Sequence, residues 1–230
     1  NRTGKSYELP ITNDTIRVLS HNINTLPTAT DAELTSTFQL YSEFDPTILG
    51  IQECNKNWNI KEKTVAPLSM EVKRHWPGAK IVTTHTNDEI FTGTHQPGGV
   101  AQLVLSKLTG RVLARGSDEL GRYAWQEILL TSTQHLIIIT AYRVPQTSMP
   151  GCGLETAAMQ QWRKLRTAGI ELPNPRQQIL TDLTAFILPH VLAGHEILLL
   201  MDANSRIDNT DMTTFLDDSH LHDIMAEYLP

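Results

Sequence analysis

The order of apolar segments most restricts the fold open to this chain. Strand-length runs alternate with amphipathic helical stretches at both ends, while the middle third is almost all strand-like. Thr15–Asn24 (TIRVLSHNIN) reads as a strand. Thr30 and Glu33 then form a capping box (T-D-A-E) opening a helix with Leu34, Phe38 and Tyr41 on one face. Pro46 closes that helix, and Thr47–Glu53 (TILGIQE) is a short buried strand. A helix is expected over Glu62–Trp76, with a turn at Pro77-Gly78. Lys80–Thr84, Val100–Leu105, Arg111–Arg115, Tyr123–Thr131 and His135–Tyr142 follow as strands between Gly-, Asp- and Ser-containing turns, which suggests mostly antiparallel pairing. Next comes a helix over Ala157–Ala168, with Ala158, Met159, Trp162 and Leu165 on one side. A second opens at Asn174-Pro175 and buries Ile179, Leu183, Phe186 and Ile187. The apolar strand Ile197–Met201 ends in Asp202. With no repeat or linker in the 230 residues, this order predicts one domain of two face-to-face sheets with helices outside.

Composition narrows the functional classes. The chain is 40% hydrophobic and 19% charged, as an ordinary globular protein is, and no apolar run approaches the roughly 20 residues of a membrane span. A net charge of −6 argues against a generic nucleic-acid binder, yet the charge is uneven. Arg143–Arg176 carries five basic residues against Glu155 and Glu171, whereas eight acids face Arg206 alone from Glu196 onward. Cys54 and Cys152 are too few for a disulfide framework and too scattered for a zinc site, so a reducing intracellular setting, nuclear or cytoplasmic, is expected. The polar first residues hold no signal-peptide core, and the missing initiator Met suggests removed upstream sequence.

The informative positions are polar residues where apolar strands end. Asn22 follows Ile16–Leu19, Glu53 follows Ile48–Ile51, Tyr142 follows Ile137–Ile139, and Asp202 and Asn204 follow Leu198–Leu200. Each alone could be a strand cap; together they suit a hard-cation site, because Mg²⁺ takes one or two carboxylates plus phosphate and water. Glu53 can ligate directly, and Asp202 can ligate or position a water. Asn22 and Asn204 can contact phosphate or water without adding charge, and Tyr142 can donate to a phosphoryl oxygen. No His/Cys cluster has zinc-ligand spacing. His85, His95, His135, His190 and His195 read as surface or loop residues, and Trp125 and Trp162 as core. Arg122 and Arg143 are the basic residues most suspected of touching phosphate.

These segments resemble a known family. R-V-L-S-H-N-I-N-T-L (Arg17–Leu26) looks like the first motif of the endonuclease/exonuclease/phosphatase superfamily, and L-G-I-Q-E (Leu49–Glu53) like its metal-binding L-x-x-Q-E. P-G-G-V-A (Pro97–Ala101) is similar to its glycine-led central strand, I-T-A-Y-R (Ile139–Arg143) to the T-A-Y of its apurinic-endonuclease branch, and L-M-D-A-N (Leu200–Asn204) to its G-D-x-N. Order and spacing agree from about Thr15 to Asn204. The resemblance implies a four-layer α/β/β/α sandwich and hydrolysis of phosphoesters with Mg²⁺ or Mn²⁺. It makes Glu53 a metal ligand, with Asn22 and Asp202 in the metal shell and Asn22 and Asn24 on the phosphate side. Tyr142, Asp202 and Asn204 become the catalytic group. Tyr142, with S-D-E-L-G-R-Y (Ser117–Tyr123) and A-Y-R-V-P-Q, favours a DNA endonuclease of retroelement or repair type; a phosphomonoesterase of the same fold and a silent binding module are the alternatives.

The departures also generate expectations. His21 stands where the family often has an aromatic, Met201 replaces a glycine, and R-V-P-Q replaces V-P-N after Tyr142. The closing S-D-H is absent, since Ser219-His220-Leu221-His222-Asp223 has no apolar strand before it and follows Asn204 too closely. The chain is therefore expected to lack the family's last strands, to be impaired alone, and to self-associate through an unpaired strand edge.

Overall fold

In the computed structural model, residues 15–27, 31–87, 93–146 and 155–224 are described. Strands β2 (Ile48–Gln52) and β4 (Val100–Val104) are buried at every position, which is why both run apolar without alternation. They form the middle of the first sheet. There β1 (Val18–Asn22) lies parallel to β2, and β4 runs antiparallel to both β2 and β3 (Lys80–Thr84), in the order β1-β2-β4-β3. The second sheet orders β5 (Val112–Ser117), β6 (Tyr123–Leu129), β7 (His135–Tyr142) and β8 (Glu196–Asp202) in sequence; only β7 and β8 pair in parallel.

Helices α1 (Asp31–Glu43) and α2 (Val65–His75) cover the outer face of the first sheet, where Leu34, Phe38, Leu68 and Val72 pack on Leu49, Ile51 and Leu103. Helices α4 (Pro175–Leu192) and α5 (Thr210–Asp218) cover the second, with Ile179, Leu183, Ile187 and Phe215 against Ile137 and Ile139. Each such buried side chain contributes roughly 1.5–3 kcal/mol, which fixes both helix pairs on their sheets. The result is the expected four-layer α/β/β/α sandwich. Helix α3 (Ala157–Thr167) lies at one end, its Ala157 and Ala158 packed with Val100, Ala124, Tyr142 and Val144. Asn174 caps α4 by accepting from Gln177 N at 3.2 Å, with Pro175 in the first turn, as the sequence indicates.

The two sheets approach closely. A Cβ on Gly50 would stand 2.8 Å from Thr140 Oγ1 and 2.9 Å from Leu200 Cδ1, so only glycine fits where β2 crosses the second sheet. Polar side chains tie the layers as well. Gln52 Nε2 donates to Ser20 Oγ at 3.0 Å and across to Leu200 O at 3.1 Å. Gln126 Nε2 reaches back to Lys80 O and Gln102 O, both at 3.3 Å. The outermost strands β1 and β8 lie together on one side of the sandwich. Most of β1 is exposed, and within the apolar β8 only Leu200 is buried.

Three sequence readings change. Helix α2 begins at Val65 rather than Glu62, because residues 60–64 form a turn in which Thr64 Oγ1 donates to Asn57 O at 3.1 Å. Helix α3 buries Gln160 and Gln161 beside Leu165 and leaves Trp162 half-buried, since the glutamines hydrogen-bond Gln96 and Thr86 in the interior. The histidines are not all dispersed. His135 stacks on His195 with ring centroids 4.6 Å apart, His190 adjoins them, and His135 Nδ1 meets Glu127 Oε1 at 2.5 Å. His85 is buried. Thr30, half of the expected capping box, and Cys152 lie outside the described residues. Among the described residues no helix is long and apolar enough to cross a membrane.

Burial, with Lys164 acting in the same sense, pulls the His85 pKa from 6.5 down to about 4. A depressed pKa means that the unfolded chain binds the proton more readily. The stability tied to neutral His85 is therefore complete above about pH 6.5 and lost as pH falls toward 4. Unfolding free energies from urea titrations across this window should fall by up to about 3 kcal/mol in the wild type. His85→Gln should flatten that fall; an unchanged slope would contradict the assignment.

Candidate active site

Parallel pairing places the site. In the first sheet the parallel register sets Asn22 beside Gln52, and in the second it sets Tyr142 beside Asp202. Each sheet thus delivers two adjacent strand C-termini to one rim, and the chain turns into the site directly after each strand. Glu53, Asn24 and Asn204, one or two residues beyond strand ends, take left-handed backbone at φ of 54°, 46° and 44°. Asparagine tolerates this conformation; glutamate seldom adopts it, and such strain concentrates where a side chain must be aimed.

The side chains meet across the gap between the sheets. Asn22 Nδ2 donates to Glu53 Oε2 at 2.8 Å and to Asp202 Oδ2 at 2.6 Å, joining carboxylates from opposite sheets. Asn22 Oδ1 accepts from Asn24 N at 2.9 Å, which fixes the amide's orientation. Asn204 closes a second loop: its N bonds Asp202 Oδ1 at 3.2 Å and its Nδ2 bonds Arg143 O at 2.8 Å. Tyr142 is buried, with its hydroxyl close to the carboxylates of Glu53 and Asp202. Burial first, then the charges of Glu53 and Asp202, raise the Tyr142 pKa well above its usual value, so the phenol remains a proton donor at neutral pH. Gly98 leaves space for this ring: a Cβ there would lie 3.4 Å from Tyr142 Cε1 and 3.1 Å from Ala157 Cβ, at a φ of +77°.

Asn22, Glu53, Tyr142, Asp202 and Asn204 are therefore brought together, with Asn24 held through its backbone. Arg122 and Arg143 are not: each guanidinium is turned onto carboxylates elsewhere in the fold, although Arg143 also lines a neighbouring cavity. Arg122 is buried between Asp118 at 2.7 Å and Asp182 at 2.6 Å. Arg143 is buried against Asp211, and its Nε donates to Arg176 O at 3.0 Å. Sequence reading missed Arg176, whose Nη1 bonds Val144 O at 2.5 Å and whose Nη2 bonds Asn204 O at 3.2 Å, supporting the loop that carries Asn204. Its place in Asn-Pro-Arg, at a helix start close before L-M-D-A-N, was the available signal.

Among the described residues no group of three or more His, Cys, Asp or Glu is arranged to hold a metal ion. The donor set instead has two half-buried carboxylates and a neutral amide on one rim. The two carboxylates are the kind of oxygen ligand a hard divalent cation takes, while Asn22 turns its amide nitrogen, not its oxygen, toward them.

No family model and no curated protein matches the sequence. Solved structures do match. An AP endonuclease from Archaeoglobus fulgidus has 15% identity over 89% of this chain and 69% of its own, with a TM-score of 0.51. A beta toxin structure from Staphylococcus aureus has 11% identity over 91% of this chain and 73% of its own, with a TM-score of 0.53. The fold is one these proteins share. TDP2 from C. elegans matches at 14% identity and a TM-score of 0.47; 83% of this chain aligns, spanning about half, 48%, of that chain.

Glu53→Gln preserves a hydrogen-bond acceptor for Asn22 while removing the charge. Calorimetric titration with Mn²⁺ should show binding to the wild type and most of the affinity lost in the variant. Equal affinities would remove Glu53 from any metal shell.

Proposed function

We propose that this chain carries the site of a divalent-metal-dependent phosphodiester hydrolase, a DNA endonuclease of retroelement or repair type. The observation that carries the reading is the meeting of Glu53, Asp202, Asn22 and a protonated Tyr142 at the junction of two parallel strand pairs. Glu53 and Asp202 would hold Mg²⁺ or Mn²⁺, which when bound supplies polarisation of a phosphoryl oxygen, and Asn22 would enter the shell only by turning its amide oxygen toward the ion. Asp202, fixed by Asn204, is placed to orient a water and accept its proton. Tyr142 donates to a phosphoryl oxygen as charge grows there, its raised pKa keeping the proton available. The name of one structural neighbour, an AP endonuclease, agrees with a nucleic-acid substrate.

The test is nicking of supercoiled plasmid with Mn²⁺ or Mg²⁺, in long incubations because the resembled family's closing S-D-H is not in the sequence. Wild-type nicking that requires metal, and that falls on the order of 10²–10⁴-fold in Asp202→Asn, is the expected result. No nicking at any metal concentration, or equal nicking by both proteins, would overturn the reading. Release of inorganic phosphate from soluble monoesters, without nicking, would replace it with a phosphomonoesterase.

The same reading includes self-association along the open side of the sandwich. Val18 is 41% exposed on outermost β1, and the apolar β8 beside it is mostly half-buried, an edge suited to pairing with another strand. Sedimentation should show a dimer or larger species that Val18→Lys shifts toward monomer. A wild type monomeric at every concentration would contradict this.

A further inference from the structure

A second cavity adjoins the carboxylate cluster. It has a volume of about 640 Å³ and lies between the segment after β7, the first turn of α4 and the first turn of α5. A smaller cavity of about 360 Å³ contains Glu53 and Tyr142, and the two meet at Pro145 and Ala158, which line both. A substrate seated on the cluster could thus continue into the larger space.

The charged residues lining that space are Arg143, Arg176 and Asp211. The Asp211 carboxylate is engaged by Arg143, and that contact holds its pKa down against the effect of burial. Among the described residues, Arg176 bonds only backbone carbonyls through its Nη atoms, Val144 O and Asn204 O, and these carry no formal charge. Two guanidinium groups therefore face one carboxylate. Burial first, then the neighbouring Arg143, push the Arg176 pKa below its usual value, while Asp211 pulls it up. The other polar lining groups, among them Gln146, Asn174, Gln177 and Asn209, are uncharged donors and acceptors. On a chain of net charge −6, such a space beside an acidic cluster is an exception.

We propose that this cavity receives a phosphodiester group of a polynucleotide, adjacent in the substrate to the one at the carboxylate cluster, with Arg176 as its cationic contact. The inference rests on the hydrolase reading and sharpens it. An ester with a single phosphate has nothing to place beside Arg176, whereas a nucleic-acid strand has a second phosphate to place there. Amide donors around one guanidinium also suit a singly charged phosphodiester, since such contacts position a backbone without reading sequence. The hydrogen bond from Arg176 to Asn204 O links occupancy of this cavity to the loop that fixes Asp202.

Fluorescence anisotropy with a short labelled oligodeoxynucleotide, in EDTA so that no cleavage occurs, tests the proposal on the intact chain. Arg176→Gln should weaken binding about tenfold, and the slope of log K against log salt should drop by roughly 0.7–0.9, the loss of one phosphate contact. Arg176→Lys should recover most of the affinity, because a phosphate accepts either cation. Gln177→Glu supplies a variant that cannot be dismissed as misfolded: an acid in the first turn of α4 favours the helix yet should weaken oligonucleotide binding. Arg176→Lys as weak as Arg176→Gln, with Gln177→Glu at wild-type affinity, would make Arg176 a support of the Asn204 loop only and overturn the proposal. Unchanged binding in all three variants would overturn it too. Because binding is read without turnover, a wild type that binds through Arg176 but never nicks would sink the hydrolase reading alone.

Discussion

The amide of Asn22 stands between two carboxylates from opposite sheets, and much of the structure serves to hold those three groups together. Two like charges sharing one donor repel by an energy on the order of 1–3 kcal/mol at half-exposed positions. One amide hydrogen-bonded to both offsets part of that repulsion. A divalent cation would offset far more, but the hydrogen-bonded amide already lets the two carboxylates stand together. The architecture follows from this demand. Glu53 must be delivered by a strand of one sheet and Asp202 by a strand of the other, with both strands ending at the same rim.

The space between the sheets meets that demand unevenly. Away from the site it is apolar, with Ile48, Val104, Ile128, Ile138 and Leu200 in one cluster. Toward the middle and the rim it is laced by glutamines, and Gln52, the residue before Glu53, donates to the backbone of β8 two residues before Asp202. Register between the sheets is therefore fixed by a hydrogen bond immediately behind the catalytic candidates, while hydrophobic burial supplies adhesion further back. Gly50 makes that bond possible by letting β2 approach Thr140 and Leu200. Replacing this arrangement with larger apolar side chains would separate the layers and draw Glu53 away from Asp202.

Most of this fold was legible because strand and helix periodicity are local properties. The segments around Asn22, Glu53, Tyr142 and Asp202 announce themselves as apolar runs ending in polar residues, and parallel pairing converts those endings into one rim. The arginines were not legible, for an equally physical reason. Whether Arg143 points outward to phosphate or inward depends on Asp211, 68 residues later, in a segment whose helical pattern is weak. Arg122 likewise depends on Asp182, 60 residues away. His135 starts β7 and His195 immediately precedes its parallel neighbour β8, so their stacking follows from strand order rather than from any spacing along the chain. Burial of Gln160 and Gln161 in α3 escaped the apolar pattern because their partners, Gln96 and Thr86, lie in segments that the helix alone does not reveal.

The left-handed residues at the rim explain why strand ends, rather than strand interiors, carry the candidate site. A strand aims successive side chains at opposite faces, so within β2 a carboxylate would face either the helices or the other sheet, both apolar and both costly for a charge. Turning the backbone at Glu53 to a φ of 54° releases its side chain from that alternation and directs it along the rim. Such a turn costs on the order of 1–3 kcal/mol for a non-glycine residue unless its neighbours impose it. Here they do. Glu53 O accepts from Thr25 N at 2.9 Å, Cys54 N donates to Gly99 O at 3.1 Å, and Asn55 N donates to Gly98 O at 2.8 Å. These bonds connect the turn after β2 to those beside it, after β1 and before β4. Asn204 repeats the device on the second sheet, its left-handed turn held by Asp202 and by the carbonyl of Arg143. At Glu53 the strain is thus shared among backbone hydrogen bonds, while at Asn204 the Asp202 carboxylate itself helps hold the turn, and Glu53 and Asp202 still face one another across the gap.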